Sequence, residues 1–255
     1  MESTNTSDRV NGRLVSKPGI PTKATLGPGV HTVGAGGLLL APRTAESVTM
    51  PLIVILHGAG GEANQALRYL HPYTDDLGSL LLAVKSHGGT WDAIRGGFGT
   101  DVAALAEVFD RFQVDGERVA IAGFSDGATY ALSLGIINGD LFKEIIAFSP
   151  GFIISSARKP LGAPRIFISH GVEDPVLPIS QTSRQLIPLL RKAGYEVDYR
   201  EFNGGHTIPS AMAQASVLKM HMSGRSLRGE HCAPLPMSYQ SGSMFGIESS
   251  RRSVS

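Results

Sequence analysis

Six short apolar runs constrain this chain more than any other feature. Residues 52–56 (Leu-Ile-Val-Ile-Leu), 80–84, 118–123, 145–148 and 165–169 are close to continuously apolar and of strand length, and 197–202 alternates as an edge strand would. A strand with one wet face alternates polar and apolar residues, whereas a continuous run needs apolar cover on both faces. Between the runs lie helical patterns at 101–112, 126–137, 180–192 and 210–222. The first sets Val102, Leu105, Ala106 and Phe109 on one face, the second stops before Asn138-Gly139, and Pro188 is expected to kink the third. Strands alternating with helices predict an α/β architecture: a mainly parallel sheet of at least six strands with helices on both faces and right-handed connections. In such sheets chemistry gathers at the carboxyl ends of the strands.

Composition bounds what the chain can be asked to do. The 255 residues suffice for one well-buried core. Formal net charge is +1, so no strong field draws nucleic acid or an anionic membrane. No apolar run approaches the roughly 20 residues that cross a bilayer, and no secretory leader pattern opens the chain. Cys232 is the only cysteine, which fits a reducing, cytoplasmic setting, and the eight histidines form no readable metal motif. Residues 1–25 and 223–255 are rich in Ser, Gly and Pro without periodicity; they are expected to be a flexible N-terminal arm and a disordered tail around a domain at 26–222.

Four segments, each directly after one of these runs, carry candidate chemistry. Gly123-Phe124-Ser125-Asp126-Gly127 sits between a strand and a helix, the context in which a G-x-S-x-G serine projects its hydroxyl above the sheet from a strained turn. Glycines two residues before and after the serine leave space for neighbouring backbone. His57-Gly58-Ala59-Gly60-Gly61 offers free backbone N–H groups; that of Ala59, with that of Asp126, is expected to form an oxyanion hole, with His57 fixing the loop. Asp174, stiffened by Pro175, is the candidate acid, ranked above its neighbour Glu173, and His206 after Gly204-Gly205 is the candidate base. Serine is a poor nucleophile at neutral pH until a base takes its proton and an acid orients that base. The order Ser125, Asp174, His206 is the one found in α/β-hydrolases.

The stretches Gly123–Ala128, Asp174-Pro175-Val176-Leu177-Pro178 and Gly204-Gly205-His206 resemble the phospholipase/carboxylesterase family of predicted esterases, which includes acyl-protein thioesterases. The resemblance spans about residues 45–221, and Thr90-Trp91-Asp92 with 134–152 is similar to a less characterised esterase branch. It implies an α/β-hydrolase fold and cofactor-free hydrolysis of carboxylic esters or thioesters by Ser125, Asp174 and His206, with Ala59 and Asp126 as oxyanion donors. Asp126 replaces the glutamine usual in the thioesterase branch, and Ala59 a bulkier apolar residue, so that branch's substrate preference is not carried over.

The short run between Ser125 and Asp174 leaves little room for a lid. The expected substrates are therefore small-molecule esters with short or small acyl groups, with Trp91 and Phe152 as candidate pocket walls and Ile153 and Ile154 beside them. Two other readings stand beside this one: a thioesterase, and a hydrolase-fold receptor that binds a small molecule and turns it over slowly. The sequence says nothing of oligomeric state.

Overall fold

The structure, a computed structural model, describes residues 12–43, 49–86, 88–91, 102–154 and 160–226. Its centre is one eight-stranded sheet: β1 (Gly29–Val33), β2 (Gly37–Ala41), β3 (Met50–Leu56), β4 (Leu80–Val84), β5 (Val114–Phe124), β6 (Glu144–Phe148), β7 (Arg165–Gly171) and β8 (Val197–Phe202). The spatial order is β1-β2-β4-β3-β5-β6-β7-β8. β1 and β2 pair antiparallel, as do β2 and β4, and every pairing from β4 across to β8 is parallel. The six anticipated strands are all present, and β8 lies at an edge. β1 and β2 were not anticipated. β1 leaves Val30 exposed, so its pattern lacks the continuous burial of β3, β4 and β6.

Five helices among the described residues flank the sheet: α1 (Ala63–Thr74), α2 (Val102–Arg111), α3 (Asp126–Ile137), α4 (Ser183–Lys192) and α5 (Ser210–Ser226). Successive strand side chains point to opposite faces, and this divides the core in two. Leu52, Val54, Leu56, Ile121, Ile145 and Ala147 face α2, α3 and α4, whereas Ile53, Ile55, Ala120, Ala122, Ile146 and Phe148 face α1 and α5. Burying one such Leu, Ile or Phe contributes about 1.5–3 kcal/mol.

Three expectations need correction. α1 was not anticipated: Ala63, Ala66, Leu67 and Leu70 follow helical spacing, but Pro72 in its last turn obscures the pattern. α4 starts at Ser183 rather than 180, after a 3₁₀ turn at Ile179–Gln181, and the helix assignment continues through Pro188. Finally, the described part of the N-terminal arm, 12–25, is anchored. Leu14 is buried in the core and its N–H donates to Asn138 Oδ1 at 2.8 Å, Asn138 Nδ2 donates to the Gly12 carbonyl at 2.7 Å, and the N–H groups of Thr22 and Lys23 donate to the Asp110 carbonyl. These partners are more than 80 positions away in sequence, so composition could not reveal them. α5 runs on to Ser226; the remainder of the expected tail, with Cys232, lies outside the described residues. No described helix is long and apolar enough to cross a membrane.

Candidate active site

Ser125 joins β5 to α3 in a conformation that side chains rarely adopt, φ 57° and ψ −117°. Such strain persists only where the surroundings over-determine it, and here they do. The Ser125 N–H donates to the Phe148 carbonyl at 2.9 Å, and its own carbonyl accepts from the N–H groups of Ala128 and Thr129 at 3.0 Å. A Cβ on Gly123 would fall 2.2 Å from the Gly127 carbonyl oxygen, and one on Gly127 would fall 2.4 Å from that of His57. The turn can close only with glycine at both positions.

The loops after β7 and β8 meet this elbow. The Val172 N–H donates to the Phe202 carbonyl and the Glu173 N–H to that of Gly204, both at 3.0 Å, and Gly171 leaves room for the Gly204 carbonyl. His206 thereby lies with Nδ1 2.6 Å from Asp174 Oδ2 and Nε2 2.8 Å from Ser125 Oγ. A carboxylate only accepts, so Nδ1 carries the proton and Nε2 accepts from the serine hydroxyl. The Phe124 ring packs 4.8 Å from the imidazole. Glu173 is exposed and takes no part in this chain of bonds.

Asp174 is buried, and burial by itself would push its carboxyl up. The N–H groups of Leu177 and Val176, which donate to Oδ1 at 2.8 and 2.9 Å, together with the bond from His206, outweigh it and hold the group below the usual carboxylate range. A second imidazole touches the same carboxylate: His170 Nε2 stands 3.1 Å from Oδ2. No sequence pattern had singled out His170.

The loop after β3 closes the other side. His57 is fully buried; the Ser86 N–H donates to its Nε2, so Nδ1 carries the proton and donates to the Gly58 carbonyl at 2.8 Å. Trp91 locks this loop to the elbow, since its indole Nε1 donates to the His57 carbonyl and its backbone N–H donates to Asp126 Oδ2 at 2.8 Å. Neither the Ala59 N–H nor the Asp126 N–H donates to any described residue. Beside Asp126 opens a pocket of about 200 Å³ walled by Trp91, Tyr130, Phe152, Ile154, Thr90 and Thr129. Trp91 and Phe152 thus share one cavity. Thr129 and Tyr130, which the sequence reading did not select, follow the serine by about one helical turn, and that spacing is a signal that could have found them. The Thr129 hydroxyl donates to the Ser125 carbonyl and accepts from the Gly151 N–H.

Comparison with known proteins places this geometry in context. Residues 101–222 match the phospholipase/carboxylesterase family. No curated protein matches the sequence. Among solved structures, the chain is similar to a Bacillus cereus carboxylesterase at 20% identity, with 74% of this chain and 94% of that one covered and a TM-score of 0.60. It is similar to a phospholipase/carboxylesterase from Dyadobacter fermentans at 22% identity, covering 78% and 99%, with a TM-score of 0.56. A Staphylococcus aureus S-formylglutathione hydrolase matches at 14% identity, covering 78% and 99%, with a TM-score of 0.60. The chain has the α/β-hydrolase fold, and its residues 101–222 are similar to the phospholipase/carboxylesterase family.

Proposed function

We propose that the protein is a serine esterase that cleaves short or small acyl esters through an acyl-enzyme. One observation carries this reading: an unbroken run of hydrogen bonds from the buried Asp174 through His206 to the Ser125 hydroxyl, at a strained elbow beside a pocket walled in part by Trp91, Phe152 and Ile154. As Ser125 Oγ bonds to the ester carbonyl carbon, its proton passes to His206 Nε2. The carbonyl oxygen becomes an oxyanion, and the N–H groups of Ala59 and Asp126 are the donors assigned to it. Each such donor is typically worth roughly 3–4 kcal/mol in the transition state. The alkoxide leaves with the proton from His206. Water, deprotonated by His206, then attacks the acyl carbon and restores the Ser125 hydroxyl with release of the acid. Asp174 holds the imidazole tautomer and stabilises the imidazolium. A pocket of about 200 Å³ has room for acetyl to butyryl groups.

The test is hydrolysis of p-nitrophenyl acetate and butyrate by the protein and by Ser125→Ala. The expected result is a loss on the order of 10³-fold or more in the variant; equal rates, or none in either protein, would overturn the reading. Thioester hydrolysis is the second reading, because one fold neighbour is named an S-formylglutathione hydrolase. Acetyl and butyryl thioesters run beside the oxygen esters decide between the two.

A further inference from the structure

Asp174 is shared by two imidazoles that mirror each other. His206 turns Nδ1 to Oδ2 and Nε2 to the hydroxyl of Ser125, whereas His170 turns Nε2 to Oδ2, at 3.1 Å, and Nδ1 to the hydroxyl of Ser183, at 2.7 Å. The second set is not a second active site, because His170 and Ser183 are both wholly buried. Its chemistry is fixed by what surrounds it. His170 Nε2 also lies 2.8 Å from the Leu177 carbonyl, so it faces two acceptors and must carry a proton. Nδ1 is then the acceptor, and the Ser183 O–H donates to it. Burial holds His170 neutral, against the opposing pull of the Leu177 carbonyl and Asp174.

We propose that His170, locked by Ser183 as the neutral Nε2–H tautomer, is a positioning residue that shares Asp174 Oδ2 with His206 and holds that oxygen in place for it. The residue touches no substrate. Its N–H ties the Leu177 carbonyl to the start of the acid loop, while the Leu177 N–H holds Oδ1 of the same carboxylate, so the 174–177 turn is braced from both sides. The role is built on the esterase reading of Ser125 and His206.

The other charged groups nearby are already engaged. On β8, Glu201 pairs in register with His170 but is bound to Arg184 of α4 and to the Tyr199 hydroxyl. At the start of α3, Asp126 is bound to the Trp91 N–H, and Glu173 is exposed. Removing His170 therefore leaves Oδ2 to His206 alone. The stronger pairing favours the imidazolium, and the acid limb of kcat/KM moves to higher pH.

The experiment is imidazole ¹⁵N NMR on the full chain, which needs no turnover, with pH–rate profiles beside it. In the unaltered protein His170 is expected to be neutral and protonated on Nε2 at neutral pH. In His170→Leu the acid limb of kcat/KM should move to higher pH, with kcat/KM down on the order of tenfold. His170→Gln, which keeps a donor at the position of Nε2, should return the acid limb close to that of the unaltered protein. Should His170→Leu fold poorly, the tautomer of His170 in the unaltered protein and in Ser183→Ala still decides the matter. An Nδ1–H or charged His170, or an unchanged acid limb of kcat/KM in His170→Leu, overturns the proposal. Failure of the esterase reading would show separately, as equal rates in Ser125→Ala and the unaltered protein.

Discussion

The two ends of the sheet each bury a carboxylate and treat it in opposite ways. At the carboxyl end, Asp174 receives donors on both oxygens and is held ionised. At the other end, Glu144 opens β6 with Arg165 3.4 Å from Oε2, and Oε1 has no hydrogen-bond partner among the described residues. Burial pushes Glu144 up to about 7, against the opposing charges of Arg165 and Lys219. Burial alone therefore does not mark a functional acid in this fold; the donors around it do. The carboxyl end uses its buried charge to orient His206, while the opposite end holds a group that is neutral over part of the ordinary pH range.

The largest expected effect breaks the carboxyl end. Asp174→Asn keeps the shape but cannot hold His206 in the right tautomer, and kcat should fall on the order of 10⁴-fold in steady-state kinetics. The opposite end should answer in stability instead. The folded-state value of Glu144 lies above its ordinary 4.5, so between about pH 4.5 and 7 the folded state holds a proton that the unfolded state has lost. Stability contributed by this group should therefore be complete below pH 4.5 and decline by about 3 kcal/mol as pH rises through 7. Asp174 has the opposite sign: its contribution is present above the ordinary carboxylate range and lost as pH falls. Denaturant melts of Glu144→Gln should lack the decline across the neutral window; a variant that keeps it would show that another group is responsible.

Smaller effects sharpen the division. Leu14→Ala removes a buried contact of the anchored N-terminal segment and should cost about 2 kcal/mol in chemical denaturation while leaving kcat unchanged. Phe152→Ala opens the pocket wall at a half-exposed residue and should leave stability nearly unchanged. The octanoate-to-butyrate ratio of kcat/KM should rise about tenfold, roughly the worth of a methylene contact.

The sheet was legible wherever a run is buried on both faces, as at 52–56 and 118–123, because that burial leaves no polar positions. Exposure along β1 and a proline in the last turn of α1 hid those two elements. The residues of the candidate site could be selected because each directly follows a strand, and chain order then orients them toward one end. What surrounds them could not be read. Ser183 locks His170 from the first turn of a helix, and Asn138 holds Leu14 across the molecule; contacts of this kind depend on how distant segments pack.

The central claim is that Ser125 becomes acylated. The most direct measurement is intact-protein and peptide mass spectrometry after rapid acid quench with p-nitrophenyl butyrate, and after treatment with a fluorophosphonate. The account predicts a single butyryl or phosphonyl adduct on the peptide containing Ser125, absent in Ser125→Ala and formed much more slowly in His206→Ala. An adduct on another residue, or turnover of the ester with no adduct on Ser125 from either reagent, would contradict it.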